Sequence, residues 1–128
     1  MFLVAWRSFS TFFALGERNS PRAISTLKAL LMSDSPPEYL VHMMAWHYRQ
    51  LLKGRELVDD GLSPDQAAVE MGKRYPDLKE KFARQVLNTS EADLLRAFDA
   101  LAQCDRELKR GRIPSGTLLD RLVLELLV

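Results

Sequence analysis

The amino-acid sequence predicts an all-α bundle of about six or seven helices, on three observations. Helix-starting and helix-stopping residues recur along its whole length. Apolar residues between those stops repeat at steps of three and four. No alternating run of β-branched residues lies between turn signals, as a strand would require. There is neither a low-complexity segment nor an internal repeat, and the short connections favour packing between neighbouring helices.

In chain order, a first helix is expected over about Leu3 to Leu15, stopped by Gly16. "NSPRAISTLKALLMS" opens with a polar cap and places Pro21 in the first turn, where a missing N–H costs nothing. Its apolar face is Ile24, Leu27, Leu30 and Leu31. The longest element is "SPPEYLVHMMAWHYRQLLKGRELVDDG", with Ser35 and Glu38 at capping-box spacing and Gly61 at its end. Leu40, Met44, Tyr48 and Leu51 form its inward row, flanked by Leu52, and Gly54 weakens the helix by about 1 kcal/mol relative to alanine.

Ser63 and Gln66 form a second capping box, for a short helix ending at Gly72. After Pro76, Leu78, Phe82 and Val86 form the next row. Ser90 and Asp93 cap a helix whose stripe is Leu94, Ala97, Leu101, Cys104 and Leu108. The last helix, "SGTLLDRLVLELLV", is apolar on nearly every side, which requires a central position or a covering partner. Arg121 and Glu125 can pair across one of its turns.

A chain of 128 residues is the size of one domain. With 47% apolar and 27% charged residues it reads as globular rather than disordered. Its 18 basic and 17 acidic side chains leave a net charge of +1, low for a domain that lives on phosphate contacts. One cysteine fits a reducing compartment. The opening "MFLVAWRSFSTFFAL" is broken by Arg7 and followed by hydroxyl residues. It fits neither a signal peptide nor a membrane span of about 20 apolar residues. It is read as a helix packed on the domain and cut from something longer at its front.

The sequence contains neither a GxxxxGK[ST] phosphate loop nor a glycine-rich dinucleotide turn. His42 and His47 stand about 140° apart around a helix and share no face for a metal; hydrogen-bonded or surface histidines are the expectation. Cys104 falls on a core stripe, where a thiol packs as a small hydrophobe. Trp46 and Tyr48 beside Arg49 suit a partner patch or, more commonly, packed core. Lys109, Arg110 and Arg112 surround a helix C-terminus, where cations favour the dipole, although a subunit interface or a phosphate backbone would also use them. The expectation is a chain with no catalytic residue, cofactor, metal or small-molecule substrate.

Residues 62 to 85 also have the outline of a helix-turn-helix, and sequence-specific DNA binding is the alternative function. The second helix would then meet the major groove with Asp77, Leu78, Lys79 and Glu80. Two carboxylates there oppose phosphate, and Asn, Gln or Arg for reading base edges are lacking. Lys73, Arg74, Lys79, Lys81 and Arg84 against Asp77 and Glu80 still leave a local charge of +3.

From about Ala14 to Leu127 the chain resembles the C-terminal collar domain of the delta subunit of bacterial DNA polymerase III. "ALGERNSPRAISTLKALL" is similar to the family's lead into a helix. "PPEYLVHMMAWHYRQLLKGRELVDDGLSP" has its proline opening and an aromatic-Arg-x-Leu-Leu core at Tyr48, Arg49, Leu51 and Leu52. "ALAQCDRELKRGR" resembles its Asp-x-x-Leu-Lys-x-Gly ending at Asp105, Leu108, Lys109 and Gly111, and "LLDRLVLELL" its closing leucine-rich helix. "SFSTFFAL" departs from the alternating acidic and apolar residues usual in the first collar helix, so residues 1–13 stand apart from the helical domain 14–128.

The resemblance implies a clamp-loader collar fold of the post-AAA+ oligomerisation type. It also implies a cytoplasmic, non-catalytic subunit region of a DNA-directed DNA polymerase holoenzyme, with no membrane association. Its partners would be the collar domains of gamma/tau and delta-prime in a five-membered ring, with primer-template DNA nearby. Clamp contact would belong to an N-terminal nucleotide-binding-like domain, which these residues do not include. Arg49, Lys53, Lys109 and Arg112 are the expected polar contacts with partners, and Leu119 and Leu126 the expected apolar ones.

Overall fold

Two prolines begin the longest helix. Pro36 and Pro37 fix φ for a first turn and carry no N–H to leave unsatisfied, and α1 runs over Pro37–Asp59. The structure is a computed structural model that describes residues 36–127. The helices expected before Ser35, and Ser35 itself, lie outside the described residues. Pro36 is the N-cap of α1 and makes no side-chain cap hydrogen bond; the expected Ser35–Glu38 box turns on Ser35 and so lies outside the described residues.

Four more helices follow: α2 (Pro64–Glu70), α3 (Pro76–Asn88), α4 (Glu91–Arg110) and α5 (Ser115–Leu127). The described residues are therefore all-α, as the sequence predicts. Both remaining capping boxes form. Ser63 Oγ accepts from the Gln66 N–H at 3.1 Å while Gln66 Oε1 accepts from the Ser63 N–H at 2.9 Å. Ser90 and Asp93 do the same at 3.1 and 3.2 Å. Each box satisfies two donors that the first turn leaves free, typically worth about 1 kcal/mol. Gly111 ends α4 at φ 68°, a left-handed conformation that a Cβ would penalise.

All five helices of the described residues feed one core. α1 supplies Leu40, Val41, Met44, Tyr48 and Leu51; α3 supplies Phe82 and Val86; α4 supplies Leu94, Ala97, Leu101 and Cys104. Ala68 enters from α2, and Leu118, Leu119, Leu122 and Val123 from α5. The predicted rows on α1 and α4 are thus buried, with Leu52 and Leu108 half-buried at their edges and Leu78 half-buried at the start of α3. α1 lies along α4, α5 folds back on α4, and the α2–α3 pair closes on one side of α1.

Gly54 differs from its sequence reading. A Cβ at this position would stand 2.9 Å from Val86 Cγ2 and 3.0 Å from the Phe82 ring. The glycine that costs helix propensity is what allows α3 to approach α1.

Candidate partner interface

A surface that meets another protein is built from side chains the core leaves over, so the inward row of α1 fixes its outer one. With Leu40, Met44 and Leu51 buried, the opposite side carries Tyr39, His42, Trp46, Arg49 and Lys53, all exposed. Their steps of three and four place them in one stripe. Tyr39 and Trp46 are each 40% exposed. Of the two aromatics flagged beside Arg49, Tyr48 is core, while Trp46 is surface. Lys73, from the α2–α3 turn, places its ammonium 5.3 Å from the Trp46 ring centroid and 5.4 Å from that of Phe82. Such cation–π contact attracts the ammonium to both ring faces, and burial lowers the Lys73 pKa.

Arg49 and Lys53 are exposed, one turn apart on α1. Lys109 and Arg112 are also exposed, at the end of α4. Lys109 Nζ donates to Asp105 Oδ2 at 2.8 Å, and Arg110 lies 3.4 Å from Glu107 Oε1. These pairs stay within α4, and Lys109 and Arg110 lie in its last turn, where the helix dipole favours cations.

One of the two apolar choices needs correction. Leu119 is 0% exposed inside the chain's own core and offers nothing to a partner, and Leu126 is half-buried against that core. The apolar side chain that α5 turns outward is Leu124, 57% exposed, beside the Arg121–Glu125 pair at 3.7 Å. A helix apolar on nearly every side has no unique inward row, so periodicity does not separate Leu119 from Leu124. The Tyr39–Trp46 row was readable, by taking the positions opposite the Leu40–Met44 row.

Reactive side chains are quiet. His47 is buried, with Nε2 3.0 Å from Gln85 Oε1, and its ring meets Tyr48 edge-on at 6.1 Å between centroids. Burial pushes its pKa down to about 4; the Gln85 hydrogen bond opposes that shift and Lys73 adds to it. At neutral pH the ring is uncharged and ties α1 to α3. His42 is exposed, away from it. The Cys104 thiol faces the Leu118 carbonyl at 3.9 Å, and burial raises its pKa to about 11 against the opposing pull of Arg121. Among the described residues no three His, Cys, Asp or Glu side chains gather as a metal site would require. None of the described helices is long and apolar enough to cross a membrane.

The α2–α3 corner turns Ala67, Ala68, Phe82, Ala83 and Val86 inward. On its outside Asp77 and Glu80 are exposed in the N-terminal part of α3, where a DNA reader would present base-contacting groups. Three of its five cations diverge: Lys73 goes to Trp46, Lys79 lies in a shallow cleft with Asp65 and Glu70, and Arg84 in another with Asp65 and Glu80. These three do not form one phosphate-facing row.

The family model for the DNA polymerase III delta subunit, C-terminal domain, matches residues 7–126. The chain belongs to this family. It also superposes on the Bacillus subtilis DNA clamp loader delta protein, with a TM-score of 0.77 and 22% sequence identity. That match covers 97% of this chain and 36% of the other, so the delta C-terminal domain spans little more than a third of that protein's length. At this identity the likeness establishes a shared fold. A search of curated proteins gives no match.

Proposed function

We propose that this delta C-terminal domain is a collar module: a non-catalytic assembly domain through which a cytoplasmic delta subunit joins gamma/tau and delta-prime. The clamp loader so assembled would place a sliding clamp on primed DNA during replication. The family match over residues 7–126 carries this reading. It is supported by reactive groups that are buried and unactivated, and by aromatic and apolar side chains left on the outside of α1 and α5. Arg49, Lys53, Lys109 and Arg112 remain the proposed polar contacts, and Leu124 with the edge of Leu126 takes the place of Leu119.

The test is assembly. The purified chain, mixed with the gamma/tau and delta-prime collar domains of the same organism, is expected to co-elute with them in size-exclusion chromatography at tens of micromolar (about 10⁻⁵ M, −7 kcal/mol). Separate elution of every component at that concentration would refute the reading. Salt-dependent binding that discriminates among unrelated duplexes would instead support a DNA reader.

A further inference from the structure

We propose that the outer stripe of α1, from Tyr39 through Trp46 to Lys53, is the docking face for an acidic, apolar-sided helix of a neighbouring protein subunit. The proposal rests on the assembly reading above and assigns a surface to it. Trp, Tyr and Arg are the side chains that dominate binding energy at protein interfaces, and here they share one helix face with Lys53. The row from Tyr39 to Lys53 is about 21 Å long at 1.5 Å per residue, the length of a typical helix–helix contact. Lys73 reaches Trp46 from a separate element, so the aromatic anchor is braced before any partner arrives.

Charge selects the partner. Arg49, Lys53 and Lys73 line the stripe, and none is ion-paired among the described residues. An opposing helix with Asp or Glu flanking an apolar seam would neutralise them and cover the two aromatic rings. A nucleic acid fits less well. Duplex DNA presents a charge about every 1.7 Å, while three cations over this length are sparse, and Glu38 and Glu56 are exposed at the edges.

The test uses the full 128-residue chain with its gamma/tau and delta-prime partners. Arg49→Glu with Lys53→Glu is expected to weaken assembly about tenfold or more, with the helical circular-dichroism spectrum and melting temperature retained. Trp46→Ala tests the aromatic anchor independently of charge and is expected to weaken assembly in the same direction. Arg106→Glu, exposed on α4, is a single charge reversal outside the stripe and is expected to leave assembly unchanged. Assembly of the double variant at wild-type strength overturns the surface while leaving the assembly reading intact. Failure of the unmodified chain to assemble overturns both. Loss of single-stranded or duplex DNA binding with assembly preserved would overturn it in favour of a nucleic-acid face.

Discussion

The α4–α5 hairpin and the α1–α3 contact are held together by different means. Between α4 and α5 the contact is aliphatic: Ala97, Leu101 and Cys104 face Leu118, Leu119, Leu122 and Val123 in one buried cluster. Between α1 and α3 it depends on a missing side chain at Gly54, a buried His47–Gln85 hydrogen bond, and an Arg55 guanidinium 3.5 Å from the Val86 carbonyl. An aliphatic seam loses stability in proportion to the volume removed, and many sequences satisfy it. The α1–α3 seam instead responds to single atoms and to protons. One seam sets how stable the domain is; the other sets how α3, and with it Lys73 over Trp46, is placed against α1.

The largest expected effect lies in the aliphatic seam. Leu119→Ala should cost about 2–5 kcal/mol, read as a lower urea midpoint, because a fully buried leucine leaves a cavity when truncated. The same truncation at Leu124, 57% exposed, should change stability by less than about 0.5 kcal/mol. Equal losses at the two positions would mean that α5 packs by another face.

The α1–α3 seam should respond to acid. His47 has a folded-state pKa of about 4 against an ordinary 6.5, so below pH 6.5 the unfolded chain takes up a proton that the folded chain refuses. Its stabilising contribution is complete above pH 6.5 and falls as pH drops towards 4, by on the order of 3 kcal/mol in all. Between pH 7 and 5.5 few carboxylates titrate, so comparing the urea midpoints of wild type and a His47 variant in that window isolates His47. His47→Gln keeps a polar group facing Gln85 and removes the titration; its midpoint should stay nearly flat there. A wild-type midpoint equally flat over that window would show His47 to be solvated.

The two seams were also unequally legible in the sequence. Ser63 with Gln66, Ser90 with Asp93, and the three-and-four stripe on α4 obey rules confined to a few neighbouring residues, and all three appear in the fold. α5 was legible as a helix but not as a face, since leucines on every side erase the pattern that marks inward from outward. Half of the candidate interface followed the same logic: Arg49 and Lys53 are outside because charge is costly to bury, whereas Trp46, whose ring suits core and surface equally, is marked as surface only by its position opposite the Leu40–Met44 row. The partners of Gly54 and His47 lie on α3, and no local rule connects residues in separate helices.

Gly54→Ala puts that last point to the smallest and sharpest test. In an exposed helix interior the change gains about 1 kcal/mol, because alanine restricts the unfolded chain and favours the helix. At this position the new methyl would stand 2.9 Å from Val86 Cγ2 and 3.0 Å from the Phe82 ring, closer than packed carbon atoms tolerate. Neither neighbour can swing away, since Phe82 and Val86 are themselves buried in the core. α3 must therefore shift, and overpacking of this kind costs about 1–3 kcal/mol, so the net change should be destabilising by roughly 1 kcal/mol. Pairing it with Val86→Ala supplies the discriminating measurement: removing Cγ2 relieves the nearest clash, so the double variant should be less destabilised than the sum of the two single changes. A strictly additive pair, or a single variant more stable than wild type, would mean that α1 and α3 stand farther apart than Gly54 allows, and that its place in the helix has nothing to do with α3.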